Sequence, residues 1–228
     1  DNTFPVTLDS LEAQGSIDFS ILFVVRESQD NTFEIVKEFC EKNTNARFVM
    51  DRGVGIYAAY NQGLYEVQTE YLMYLNADDW LAKDAIKNIL DELTDEIKYI
   101  NFGISYFTES GVFINRKSGL STNKLYLRNP FAFPATIFRK NILIAIGGFS
   151  ERYSLVSDYD LLLRLIKQYG LPKFSNHHVY CFRRGGRSSF SKSILDIVKI
   201  LKKLNFNMFQ IIVGIAFRAA VKIRNKIL

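Results

Sequence analysis

Short apolar runs of strand character alternate with amphipathic helical patterns along the first hundred residues, and this order constrains the fold more than any other feature. The runs are Phe19–Val25 (FSILFVV), Ala46–Met50, Glu70–Asn76 and Ile97–Ile104. Each is of the length and composition of a buried strand. Between them lie helical patterns at Thr32–Glu41 (after Asp30 and Asn31), Tyr57–Val67 (after a glycine-rich turn) and Lys83–Leu93. This β-α-β-α rhythm predicts an α/β fold: a mostly parallel, Rossmann-like sheet flanked by helices, with right-handed crossovers. Further on, Val112–Arg116 and Val179–Arg183 read as sheet-edge strands, and Asp158–Lys167 (DYDLLLRLIK) reads as a helix with one apolar face.

Ligands of such sheets gather at the carboxyl ends of the strands. One strand here, YLMYLNADDW, runs straight into Asn76, Ala77, Asp78 and Asp79. Two adjacent carboxylates repel one another, so the pair asks for a cation. The alternative is that one of them caps a helix beginning near Leu81.

Composition limits what this site can belong to. With 228 residues, 48% hydrophobic and 23% charged, the chain suits one globular domain with a full core. Cys40 and Cys181 are far apart and lack metal-ligand spacing, which favours a reducing cytoplasm. The chain opens on Asp1 with no charged and apolar leader pattern, so no secretory signal is expected. The net charge of +5 belongs to the tail: from Ser191 onward eight Lys or Arg stand against Asp196 alone, and the remainder is slightly acidic. A nucleic-acid partner is therefore not expected. Residues 1–190 form the expected body and 191–228 a basic, amphipathic helical tail. In its first part Ile194, Ile197, Val198, Ile200, Leu201 and Leu204 share one arc opposite Asp196, Lys199, Lys202 and Lys203. The apolar Phe206–Phe217 stretch that follows is about half the ~20 residues needed to span a bilayer. Two readings stay open: the tail lies on an anionic membrane surface, or it docks on the body.

Five segments in order carry a resemblance: ESQDNT (Glu27–Thr32), DRGVGIYAAYNQG (Asp51–Gly63), EYLMYLNADDW (Glu70–Trp80), GGFSERYSLVSDYDLLLRL (Gly147–Leu165) and GGRSS (Gly185–Ser189). Together they resemble the family 2 glycosyltransferases of GT-A fold, in the branch that builds bacterial surface polysaccharides. The resemblance implies a nucleoside diphosphate sugar donor, an acceptor hydroxyl on a lipid-linked or growing glycan, and Mg²⁺ or Mn²⁺ held by Asp78 or Asp79, with Asn76 orienting the ribose or sugar. Hard oxygen ligands suit such ions, which neutralise the departing diphosphate. Asp158 matches the family's general base, which takes the proton of the acceptor hydroxyl; one base and in-line attack imply inversion. A helix cap is the alternative role for Asp158.

Asp30, Arg52 and Asn61 match segments that pass the nucleotide. The chain departs from the pattern at Arg26 and Glu27, where Asp-Gly is expected, at Ala58 in place of Asp, and at Phe133 in place of His. The family's first strand has no counterpart, and Asp1–Gly15 reads as the loop and helix that follow it. His177 and His178 read as a polar surface pair. Arg183 and Arg184 suit either a diphosphate or a solvated edge. The competing class is a non-catalytic sugar-nucleotide-binding or scaffold protein. A cytoplasmic protein, peripheral on the inner face of the plasma membrane, is expected.

Overall fold

The structure, a computed structural model, describes residues 3–15, 18–108, 111, 113–116, 125–184 and 190–227; side chains are described within these except at 113–116, 190–192 and 222–227. Of the expected motifs, Gly185–Ser189 lies outside the described residues.

The chain opens with helix α1 (Phe4–Glu12). Strand β1 (Ile21–Val25) and strand β2 (Ala46–Met50) pair in parallel, joined by helix α2 (Thr32–Lys42), as the alternation of patterns predicts. Helix α3 (Ile56–Glu66) then starts at Gly55, whose φ of +90° strains any residue with a Cβ. A Cβ on nearby Gly53 would lie 2.3 Å from that of Ala58, so this turn is tight for two reasons.

A larger sheet follows. Its strands are β3 (Tyr71–Leu72), β4 (Trp80–Leu81), β5 (Tyr99–Phe107), β6 (Phe113–Arg116), β7 (Thr136–Arg139) and β8 (Lys173–Arg183), in the order β3-β7-β5-β8-β4, with β6 on β5. It is more mixed than the sequence predicts. β5 and β8 are parallel, whereas β3–β7, β4–β8, β5–β6 and β5–β7 are antiparallel.

Three expectations change. The Val179–Arg183 strand is not an edge: β8 is paired on both sides, and Val179 and Tyr180 are fully buried. The histidines and asparagine earlier in the strand give it a polar look that its second half does not share. The Glu70–Asn76 run joins the ladder only at Tyr71 and Leu72 and then continues unpaired toward the acids. After the acids comes β4, and helix α4 (Ala85–Leu90) begins later, at Asp84. Asp78 and Asp79 therefore cap no helix.

Helix α5 (Lys140–Ala145) leads to a turn at Gly147 and Gly148, both with positive φ, and then to helix α6 (Ser157–Tyr169). On one side α6 buries Leu161, Leu162 and Leu165 against an aromatic core. On the other, Tyr159 and Leu163 meet helix α7 (Phe190–Lys203) and helix α8 (Met208–Ile227). Asn205, at φ +65°, makes the turn between these two. Ile197, Ile200 and Leu201 are completely or almost completely buried there, so most of the apolar arc expected on α7 is occupied by the body. Among the described residues no helix is long and apolar enough to cross a membrane.

Candidate active site

The loop Asn76–Asp79 is clamped from behind by α1. The Thr7 hydroxyl lies 3.0 Å from the Ala77 carbonyl and 2.7 Å from that of Asp79. Ser10 Oγ accepts from the Leu81 amide at 3.1 Å, and Gln14 donates to the Ala82 carbonyl at 3.1 Å while accepting from Ile86 N–H. Residues three and four apart lie on one helix face, so Thr7, Ser10 and Gln14 form a single polar stripe along the loop and β4.

The two acids have different surroundings. Asp79 is almost fully buried, and both its oxygens are engaged: Oδ2 accepts from Tyr180 Oη at 2.8 Å and Asn76 Nδ2 at 3.2 Å, and Oδ1 accepts from the Arg183 amide at 2.9 Å. Burial nevertheless wins over these donors and pushes its carboxyl up to about 6. Asp78 is half-buried, and among the described residues no hydrogen bond or ion pair reaches its carboxylate; only its carbonyl is contacted, by Arg183 Nε at 3.2 Å. The Arg183 guanidinium is kept beside it by stacking over Trp80 at 5.1 Å. Asp78 therefore keeps both carboxylate oxygens available as hard donors just before β4, whereas both oxygens of Asp79 are engaged within the loop and β8. Such a donor fits Mg²⁺ or Mn²⁺ completed by diphosphate oxygens and water. Among the described residues no group of three His, Cys, Asp or Glu converges into an all-protein metal cage.

Asp158 is the second residue of α6, and Val156 holds the N-cap position, so the helix-cap alternative does not apply. Its carboxylate accepts from Tyr57 Oη at 3.2 Å and from Asn129 Nδ2 at 3.1 Å. Burial raises its pKa, with these two donors and the Tyr159 amide pulling the other way. Both acidic regions act on one phenol: Tyr60 is held un-ionised first by burial and then by the charges of Asp158, Asp79 and Asp78. Tyr60 thus lies within electrostatic reach of both Asp158 and the acid pair. The Tyr60 hydroxyl also makes a short hydrogen bond to Asn76 Oδ1.

The other expected residues sit further out. The Asp30 carboxylate is exposed and turns back to Ser28 Oγ at 2.6 Å and the Thr32 amide at 3.2 Å, bonds that hold its carboxyl down to about 2 and organise the start of α2. Arg52 is exposed; its backbone N–H donates to Gln62. Asn61 spends its amide group on the turn before α6, accepting from Phe149 N–H at 2.8 Å and donating to the Phe149 carbonyl and Glu151 at 2.9 Å each. The structure therefore brings Asn76, Asp78, Asp79 and Asp158 around one tyrosine, and gives Asn61 a bracing position between α3 and the glycine turn. Where the expected Asp-Gly is replaced, Arg26 pairs with Asp51 at 2.7 Å and reaches the Gly53 carbonyl. His178 packs against Gly103 and near Ser105 rather than standing on the surface.

The α/β sheet and its flanking helices have the GT-A fold of the glycosyltransferase structures on which the chain superposes. Residues 2–158 match the model of glycosyl transferase family 2, and the chain belongs to that family. Glycosyltransferase GlyA of Streptococcus pneumoniae serotype 4 is 30% identical over 104 residues, 45% of this chain and 15% of that protein. An uncharacterized glycosyltransferase of Haemophilus influenzae is 24% identical over 219 residues, 86% of this chain and 69% of that one. Among solved structures, S. aureus TarS 1-349 in complex with UDP-GlcNAc superposes with a TM-score of 0.67 at 16% identity, covering 95% of this chain and 68% of that one. The mannosyltransferase PcManGT from Pyrobaculum calidifontis, in complex with GDP-Man and Mn²⁺, gives 0.64 at 16% identity, over 89% and 60%. The chain thus belongs to glycosyl transferase family 2 and spans only a small part of the pneumococcal relative.

Proposed function

We propose that this chain catalyses inverting transfer of a sugar from a nucleoside diphosphate sugar to a hydroxyl of a lipid-linked or growing glycan, with Asp78 holding Mg²⁺ or Mn²⁺ and Asp158 acting as base. The observation that carries this is that Asp78, whose carboxylate takes no hydrogen bond or ion pair among the described residues, and Asp158, held by the Tyr57 hydroxyl, both act electrostatically on Tyr60. The cation would neutralise charge on the departing diphosphate. Arg183, fixed over Trp80 at the same strand end, adds positive charge there. Asp158 receives the acceptor proton as its oxygen attacks the anomeric carbon, and a base whose pKa is raised by burial is better matched to that task than an ordinary aspartate. Single in-line attack inverts the anomeric centre. Donor complexes of UDP-GlcNAc and GDP-Man in proteins of this fold support the donor class.

The acceptor reading places the protein at the cytoplasmic face of a membrane. With most of the α7 arc occupied by the body, the surface available for lipid is α8, where Met208, Phe209 and Ile212 are exposed, together with the exposed Lys199, Lys202 and Lys203 of α7.

The test is a transfer assay over a panel of nucleotide sugars, with and without Mn²⁺, on wild type and Asp158→Asn. Asn keeps the size of the side chain and removes the proton acceptor, so turnover should fall about 10²-fold or more with donor affinity unchanged. Donor binding with wild-type turnover in the variant would reject the base. Donor binding without transfer in either protein would favour a non-catalytic sugar-nucleotide-binding protein.

A further inference from the structure

Two tyrosines on α3, both within the Asp51–Gly63 segment but given no role there, link the halves of the site. Tyr57 and Tyr60 are three residues apart and therefore share a helix face. The Tyr57 hydroxyl holds the Asp158 carboxylate. The Tyr60 hydroxyl holds the Asn76 amide, whose other end donates to Asp79. Both rings are fixed by other aromatics. Tyr57 stacks on Phe149 at 5.6 Å, and Tyr60 packs on Tyr74 at 4.6 Å, Phe149 at 5.2 Å and Phe133 at 6.0 Å. The helix itself is tied to the turn before α6 through Asn61. Two buried hydroxyls on one rigid face leave their acceptors little freedom of position.

We propose that Tyr57 and Tyr60 are positioning residues: α3 acts as a spacer that fixes the base, through Tyr57, and the donor-side loop, through Tyr60, at a set distance from one another. This rests on the reading of Asp158 as base. The two phenols are burdened by burial and by the nearby carboxylates, so each stays protonated and serves only as a donor. A donor to a carboxylate stabilises its ionised form. Among the described residues, the titratable groups shown to interact with Asp158 are these two tyrosines. Asp160 lies about 200° further round α6, buried with Arg164 at 2.7 Å and with Lys203 at 3.9 Å as its own cations.

The tyrosines should separate in kinetics. Tyr57→Phe removes one of the two side-chain donors to ionised Asp158. Its pKa then rises, and since the base works ionised, the acid limb of kcat/KM should move up by about one pH unit. Turnover on the alkaline plateau and donor affinity should change little. Tyr60→Phe should leave that limb in place and weaken donor binding in the presence of Mn²⁺ about five- to tenfold. Asn129→Ala removes the other donor to Asp158 and should move the limb in the same direction as Tyr57→Phe, which keeps the test intact if Tyr57→Phe folds poorly. The proposal is overturned if the acid limb stays put in Asn129→Ala and in folded Tyr57→Phe, or if both tyrosine variants lose turnover and donor affinity in parallel with their melting temperatures. Wild-type turnover in Asp158→Asn would instead remove the base itself. An inactive Asp158→Asn beside an unmoved limb would leave the base standing and reject only the tyrosines.

Discussion

Leu201→Ala is expected to destabilise the body of the protein together with its tail. Leu201 has no solvent exposure and packs in one cluster with Ile197, Ile200 and Ile211 of the terminal helices and with Tyr153, Tyr159 and Leu163 of the body. Truncating a fully buried leucine costs about 2–5 kcal/mol, from lost transfer free energy and the cavity left behind, and about 3 kcal/mol is a fair central value here. With a urea slope of about 2–3 kcal/mol per molar, the midpoint should fall by about 1–1.5 M. The reporter is favourable. Trp80, the chain's single tryptophan, sits in β4 beside the acid pair, so its fluorescence follows the body and not the tail. Leu195→Ala is the control: Leu195 is on the same helix but 70% exposed, and its loss should stay within about 0.5 kcal/mol. If the Trp80 transition is unmoved in Leu201→Ala, the terminal helices do not stabilise the body and their packing on α6 is not energetically significant.

The buried Asp79 should make stability depend on pH. Its pKa is raised in the folded protein to about 6, so the fold favours the protonated form; stability from this group is complete below the unfolded pKa near 4 and falls by up to about 3 kcal/mol as pH rises to about 6. In the presence of a chelator, Asp79→Asn should therefore gain about that much on wild type between pH 4 and 7, and a constant difference across the range would refute the burial argument. On α8, replacing exposed Phe209 and Ile212 with Ser should abolish sedimentation with vesicles containing anionic phospholipid while leaving the urea midpoint unchanged. Equal sedimentation of variant and wild type would mean that this face does not meet lipid.

The fold was legible where hydrophobic pattern alone decides the outcome. β1, β2, α2 and α3 fall within about two residues of their expected bounds because each buries a run or a stripe that neighbours in sequence define. β8 was misread because its position between β5 and β4 depends on partners more than 70 residues away, and its His177–His178 pair masks the buried Val179 and Tyr180. The acids were visible, but not their division of labour. Asp79 differs from Asp78 in its surroundings because Tyr180 and the Arg183 amide, about a hundred residues further along, close on it. The stripe Thr7, Ser10, Gln14 could have been found as polar positions at helical spacing beside the apolar Leu8 and Leu11. The tyrosines could not, since Tyr57 and Tyr60 look like ordinary core aromatics until their hydroxyl partners are seen. In the tail, an amphipathic arc with lysines opposite suits a lipid surface and a protein surface equally, and only tertiary packing separates them.

Titration calorimetry of UDP-GlcNAc or GDP-mannose, with Mn²⁺ present and absent, on wild type, Asp78→Asn and Asp79→Asn tests most directly whether Asp78 is the metal ligand. The division of roles at the strand end gives a definite pattern. Wild type should bind more tightly with Mn²⁺, Asp78→Asn should lose the Mn²⁺ enhancement while keeping wild-type stability, and Asp79→Asn, altered in the loop's packing, should keep at least part of it. An unchanged Mn²⁺ enhancement in Asp78→Asn, or its loss only in Asp79→Asn, would contradict the assignment.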